Sequence, residues 1–442
     1  MLYGTQKINT NGNLEIGGCD TVDLAQKYGT PLYVLDEMLV RQHCREYIDS
    51  FKKYYPNSKI AFAGKAFLTM AMCRILDQEG MHLDVVSSGE LYTALKADFP
   101  VERIYFHGNY KSEGELRLAL DSKVGKIVVD NMLELELLNS IAMEKGVKAH
   151  ILFRLTPGID PHTHRLIRTG QADTKFGLNI KDGSAMAAIK KALQCEGIVL
   201  AGIHCHAGSQ LLELDAHQAA VKIMVEFAKQ VLDETGHTFD EINTGGGLGI
   251  SYIEGQVPPM IDSFAKIITD SFLAAFDEFG LAKHPTIVQE PGRSIVGTAG
   301  CTLYTVGPIK TVSIKEDPGH RTYVAIDGGM SDNPRPQLYQ AIYEALVANN
   351  PVAEKTETYT ISGKHCETDT MIVDASLPKL HPGDLLAVQC TGAYNYAMAS
   401  NYNRFCRPSV VLVADGESHC IVRRETLDDL VAQDVIPAHL AK

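Results

Sequence analysis

Ile60-Ala61-Phe62-Ala63 is a short apolar run that stops at Gly64-Lys65-Ala66. An apolar run of this length suits a buried parallel strand. A lysine at the mouth of such a strand is expected to be partly desolvated, which favours the neutral amine. A neutral amine is the nucleophile that condenses with a carbonyl. Alone, Lys65 is as well read as a lysine snorkelling from a strand end, so the rest of the chain has to decide. Further reactive or charged residues follow later apolar runs: His107-Gly108-Asn109, Arg154, His206, Gly245-Gly246-Gly247, and Glu290-Pro291-Gly292-Arg293. Asp84, inside another such run, can point into the same cavity.

These residue types suit one kind of ligand. The run Gly245-Gly246-Gly247-Leu248-Gly249 is not a G-x-G-x-x-G fingerprint, and a lone glycine cluster is more often a turn. Beside Arg293 it reads differently, because bare backbone N–H groups approach an anion and the guanidinium adds a bidentate contact. Ser209-Gln210 can help orient a ring or a phosphate. Glu290 in isolation would be a surface ion pair. Next to a pyridine nitrogen it would keep that nitrogen protonated and make the ring an electron sink for a carbanion. His206 can lie flat on the ring's other face. Lysine, acid and anion cradle together point to pyridoxal 5'-phosphate. His204 and His206 share a strand face and could be a metal pair, but no carboxylate or third ligand spacing accompanies them, so no metal is expected.

The elements that must position these residues alternate. Strand candidates are 59–63, 82–86, 103–106, 126–129, 149–155, 200–206, 241–244 and 286–289, with helical segments between them. Ser87-x-x-Glu90 and Ser112-x-x-Glu115 read as capping boxes, Asn131 can cap the segment 132–145, and Gly236 and Gly280 sit where helices should stop. Eight such units between about residues 37 and 295 match an α/β fold, a (β/α)8 TIM barrel, in which the residues above gather at the C-terminal ends of the strands. An open doubly wound sheet is the structural alternative. Residues 1–35 look like short strands, with a hairpin turn at Asn11-Gly12. After residue 300 the period is two and a mostly-β second domain is expected, interrupted by a helix over 337–348.

That second domain carries its own polar cluster. Gly328–Tyr339 is a glycine- and proline-fixed loop entering a helix, where Arg335 and Tyr339 can share a face. Cys366-Glu367 and Gly392-Ala393-Tyr394 follow strands. The net charge of −13 argues against a general nucleic-acid or anionic-membrane surface. Ten scattered cysteines without Cys-x-x-Cys, no signal-peptide pattern and no apolar run of about 18 residues suggest a reduced, cytoplasmic protein with no membrane segment.

The set Ala63-Gly64-Lys65-Ala66, His204 to Gln210, Gly245-Gly246-Gly247 and Glu290 to Arg293 resembles the alanine-racemase-like (fold type III) pyridoxal-phosphate decarboxylases. Within them the chain is similar to the diaminopimelate decarboxylases, through Arg154, Pro157-Gly158, His162-Thr163-His164, Thr169-Gly170, Asp173 to Gly177, Asn333 to Pro336, Cys366-Glu367 and Gly392 to Tyr394. The resemblance covers essentially the whole chain. It implies that Lys65 carries the cofactor, Glu290 binds the pyridine nitrogen, and His206 stacks on the ring. Asp84, Ser209, Gly245–Gly247, Pro291, Gly292, Arg293 and Tyr394 match cofactor contacts. Arg293, Arg335, Tyr339, Glu367 and Tyr394 match substrate binders, and Cys366 the residue near the reacting carbon. It also implies a barrel over 36–295, a β domain built from 1–35 plus 296–442, and a homodimer with active sites at its interface. Ala207, Asn395 and Thr368 depart from the usual residues and bear on pocket shape.

The substrate has a physical argument of its own. The far end of meso-diaminopimelate carries a carboxylate and an ammonium, and Arg335 with Glu367 offers one charge for each. Ornithine, arginine or a carboxynorspermidine precursor, handled by related decarboxylases of this fold, would set Arg335 against a different group, an unpaired-charge cost for the simple diamine precursors. A racemase or a non-catalytic pyridoxal-phosphate carrier fits less well, given Cys366 and the β domain.

Overall fold

The computed structural model describes residues 1–158, 174–314 and 319–441. The expected motif residues His162-Thr163-His164, Thr169-Gly170 and Asp173 lie outside them. By chain packing the described residues form two compact units, one of residues 41–251 and 257–295, the other of 1–40, 252–256 and 296–442.

The first unit is a closed barrel of eight parallel strands: Ser58–Ala63, His82–Val85, Ile104–Phe106, Lys126–Val129, Ala149–Thr156, Ile198–His204, Glu241–Asn243 and Thr286–Gln289. Each pairs with the next, and Thr286–Gln289 closes the ring onto Ser58–Ala63 through Gln289 opposite Ile60. Closure excludes the open doubly wound sheet. Ala61, Tyr105, Val128, Leu152 and Val288 fill part of the interior. The helices start where their caps predict. Ser112 and Glu115 form a reciprocal capping box, and Asn131 accepts from the N–H of Glu134. Ser87 caps with its side chain alone, because the Glu90 carboxylate turns to the N–H of Val86. Gly146, Gly236 and Gly280 end helices in the left-handed conformation.

The second unit is built on a mixed sheet in which Leu32–Asp36 lies between Gly300–Ser313, antiparallel, and Ser409–Ala414, parallel. Its apolar face packs Leu14, Leu24, Leu32, Val34, Leu303, Val411 and Val413 into one core. Two expectations are corrected here. Residues 1–35 are not strands alone: Asp20 caps a helix, Thr21–Tyr28, that stops at Gly29. The helix expected over 337–348 is only Arg335–Tyr339, ended by Gln340 in a left-handed conformation. Tyr343 is then buried and Ala345–Val347 pairs as a strand with Leu385–Val388, because the apolar residues there serve a sheet rather than a helix face. Among the described residues no helix is long and apolar enough to cross a membrane.

Candidate active site

The barrel brings its polar residues to one end, as strand order predicts. Lys65 sits on a three-residue turn, Gly64–Ala66, directly after the first strand. It is exposed between two buried neighbours, so the partial desolvation expected of it is not found. The turn carries the side chain off the strand before sheet and helix can enclose it. Its charge acts instead on Asp84, Glu90 and His206. Burial pushes the Glu90 carboxyl up to about 7.

Glu290 is the most constrained side chain of the group. It is buried, and its Oε2 accepts a hydrogen bond from His204 Nε2 at 2.9 Å. Its Oε1 accepts from Asn243 Nδ2 at 2.6 Å. His107 Nε2 stands 3.0 Å from Oε1 and 3.7 Å from Asp84 Oδ1. Burial works against ionisation of Glu290, but the neighbouring His107 and His204 outweigh it and hold the carboxyl well below the usual range. Asp84 is driven the other way, mainly by burial. His206, beyond the end of its strand, has its imidazole pushed well down by burial, so it is neutral at neutral pH. The expectation that His204 lacks a carboxylate and a third ligand-type neighbour is therefore corrected: ligand atoms of His107, His204 and Glu290 lie within 4.8 Å of one another. The hydrogen bonds from His204 and Asn243 account for the cluster as a carboxylate held in place.

The glycine run has a steric reason. Gly245 has φ +70°, and a Cβ there would lie 2.8 Å from His206 Nδ1; a Cβ on Gly246 would lie 2.0 Å from the carbonyl oxygen of Glu290. Only glycine lets the loops after the seventh and eighth strands come this close. Gly245 also accepts from the N–H of Glu290 at 2.8 Å. Arg293, buried at the start of a short helical turn after Pro291-Gly292, donates to Ser209 Oγ at 3.0 Å. A guanidinium, a hydroxyl and the glycine backbone thus gather beside the carboxylate. Gln210 is used otherwise than expected: its side-chain amide donates to the Ile250 carbonyl at 2.6 Å and accepts from the Ile250 N–H, tying two loops together.

In the β unit, Arg335 is buried and donates through Nε to Tyr343 Oη at 2.9 Å. Its guanidinium lies 5.4 Å from the Tyr339 ring centre and 5.5 Å from that of Tyr394, a cation held between aromatic faces. Cys366 and Glu367 are exposed. The Cys366 N–H donates to Asn403 Oδ1 at 3.0 Å, and Tyr402 Oη donates to Glu367. His365 Nδ1 bonds Asp369 at 2.6 Å beneath them. Sequence reasoning missed Glu90 and Asn243 as partners of the barrel's polar group, and Tyr402 and Asn403 as partners of the β unit's. The Glu90 signal was visible, as a cap residue, but no local pattern announces the others.

Residues 41–297 match the model of the pyridoxal-dependent decarboxylase family's pyridoxal binding domain. The diaminopimelate decarboxylase of Bacillus methanolicus is 48% identical over 96% of this chain and 97% of its own length. The chain belongs to the diaminopimelate decarboxylase family. The family's enzyme from Bacillus subtilis (strain 168) is 47% identical over 98% of each chain. The crystal structure of the M. jannaschii diaminopimelate decarboxylase in complex with L-lysine superposes with a TM-score of 0.92 at 36% identity, covering 100% of both chains. Lysine/ornithine decarboxylase from Vibrio vulnificus, at 23% identity and a TM-score of 0.74, shares the fold.

Proposed function

We propose that the protein decarboxylates meso-2,6-diaminopimelate to L-lysine and CO2, the last step of lysine biosynthesis, with pyridoxal 5'-phosphate as cofactor. The observation that carries the substrate is Arg335, a buried cation fixed between Tyr339 and Tyr394 in a unit that also presents the Glu367 carboxylate. A carboxylate and an ammonium on one distal carbon need such a pair.

The donor set fits the cofactor: an amine, an ionised buried carboxylate, and a guanidinium with hydroxyl and glycine backbone. When bound, pyridoxal phosphate supplies the ring that accepts the electron pair left at Cα as CO2 departs. Lys65 would hold the cofactor through its amine. Glu290 would keep a proton on the ring nitrogen, with neutral His206 beside it. Ser209, Arg293 and the backbone of Gly245–Gly247 would hold the phosphate, and Asp84, Pro291, Gly292 and Tyr394 would serve the cofactor. Arg335, Tyr339 and Glu367 orient the distal amino acid. Cys366 or Lys65 returns a proton to Cα. Reaction at the D-configured centre is part of the same reading.

We further read the protein as a cytoplasmic homodimer whose Cys366–Glu367 loop serves the partner copy's site. Release of CO2, with the amine product identified, is measured with meso-diaminopimelate beside ornithine, arginine and carboxynorspermidine. Lysine formed from diaminopimelate alone, and lost in Lys65→Ala, supports the reading. Turnover of another amino acid with none of diaminopimelate would overturn it. Mixing inactive Lys65→Ala with inactive Cys366→Ala restores activity if the loop is shared between copies, and does not otherwise.

A further inference from the structure

Barrel strands and the loops after them bring polar side chains around one carboxylate. Around Glu290 stand His204 on the sixth strand, Asn243 on the seventh and His107 after the third, with Asp84 of the second strand next to His107; the charge of Arg154 on the fifth also acts on Glu290. We propose that His204 and His107 are positioning residues for Glu290, keeping its carboxylate ionised and aimed so that a ring nitrogen holds its proton there. This rests on the reading of the site given above.

The two histidines do different things. Asn243 Oδ1 accepts the N–H of Gly245 at 2.8 Å, which fixes the amide so that Nδ2 must be the group donating to Glu290 Oε1. His204 Nδ1 is buried with no partner among the described residues, so its single proton belongs on Nε2, where Glu290 takes it. A second proton would be an unmet buried donor, and burial accordingly pushes this imidazole down to about 4. His204 and Asn243 are thus neutral donors that orient the carboxylate without cancelling its charge. His107 is set differently. Its Nε2 lies within 3.7 Å of both Glu290 and Asp84 but aligns a hydrogen bond to neither. Its ring meets His204 edge-on at 4.8 Å. The loop that carries it is pinned by Lys111, whose Nζ donates to Gly108 O at 2.8 Å, Val128 O at 2.7 Å and Glu134 at 2.7 Å. A buried donor between two carboxylates can turn to Asp84 when a ring N–H claims Glu290, leaving no carboxylate without a partner.

The holoenzymes of His204→Phe, His107→Phe and His204→Gln test this, with folding followed by circular dichroism. The two Phe variants are expected to lose about 10- to 100-fold in kcat, the scale of partners that orient a reacting group. KM should stay within about 2-fold, since no substrate contact is removed. The pH midpoint of the bound cofactor's visible absorption should move by about one unit or more. His204→Gln, whose amide can donate from nearly the same point, should recover most of both. A folded Phe variant with wild-type kcat and wild-type absorption midpoint overturns the proposal, as does a Gln variant no better than Phe. Asn243→Ala deletes the other oriented donor and gives the same two readouts should a Phe variant fail to fold. The absorption titration needs no substrate. A wild type that binds the cofactor but releases no lysine would therefore sink the substrate reading while the titration still decides the positioning role.

Discussion

At the scale of single residues, the chain's chemistry depends on how each polar group is held. Glu367 is exposed, yet Tyr402 fixes it, and His365 stacks at 18° to the Tyr402 ring. Tyr402→Phe should raise KM for meso-diaminopimelate by about 2- to 10-fold, the worth of one hydrogen bond to a charged group at an exposed position, with little change in kcat. Steady-state kinetics with a folded variant checks it. His217 is a second case, a buried ring edge-on to Phe264 whose imidazole is pushed down to about 4 by burial. The unfolded chain takes up that proton near pH 6.5 and the folded protein only near pH 4, so this histidine costs stability as pH falls from 6.5 to 4. His217→Phe should therefore lose less stability than wild type over that interval in urea unfolding at pH 7 and pH 4.5. Lys65 and Glu290 were legible in the sequence because each directly follows an apolar strand. Asn243 was not, since its partner Glu290 lies 47 residues further on and nothing local marks the pair. The desolvation read into Lys65 failed because a strand-end position says nothing about which way the following turn carries a side chain.

At the scale of elements, the loops after the seventh and eighth strands are set by backbone contact rather than by side chains. Gly246→Ala would drive a Cβ into the Glu290 carbonyl and push the two loops apart. We expect a folded barrel with cofactor affinity lowered about 10-fold or more, about 1.4 kcal/mol, read by equilibrium titration of the cofactor-free protein. Ser112→Ala removes the side-chain half of a capping box, leaving the backbone N–H of residue 112 on the Glu115 carboxylate, and should cost about 1 kcal/mol in denaturant unfolding. The barrel's strands and caps could be read from the chain because period and cap are local signals. The stretch after Arg335 could not. Its apolar residues fit a helical period on paper, and only the pairing of Ala345–Val347 with a strand some 40 residues later decides between helix and sheet.

At the scale of the whole molecule, both units are discontinuous in sequence, and the β unit draws on both ends of the described chain. Val34, 1% exposed, sits on the strand between Gly300–Ser313 and Ser409–Ala414. Val34→Asp would bury an unpaired carboxylate in that core and should destabilise by about 3 kcal/mol or more, seen as an early unfolding transition. The sequence announced eight alternating units because they are neighbours in the chain. Leu32–Asp36 looked like one more strand among several, and its partners some 270 and 380 residues downstream left no trace in it.

The order in which these strands leave the ribosome follows from that pairing. Leu32–Asp36 is translated before the barrel and is apolar up to its last residue, but both of its partners come after every strand of the barrel. At about 5–20 residues per second, it waits roughly 10–50 seconds as a bare edge while the barrel's strands are made. The nascent chain therefore carries an unsatisfied, aggregation-prone segment ahead of the barrel while the barrel is made. Protection of that segment during translation, rather than any late step, should limit the yield of folded protein.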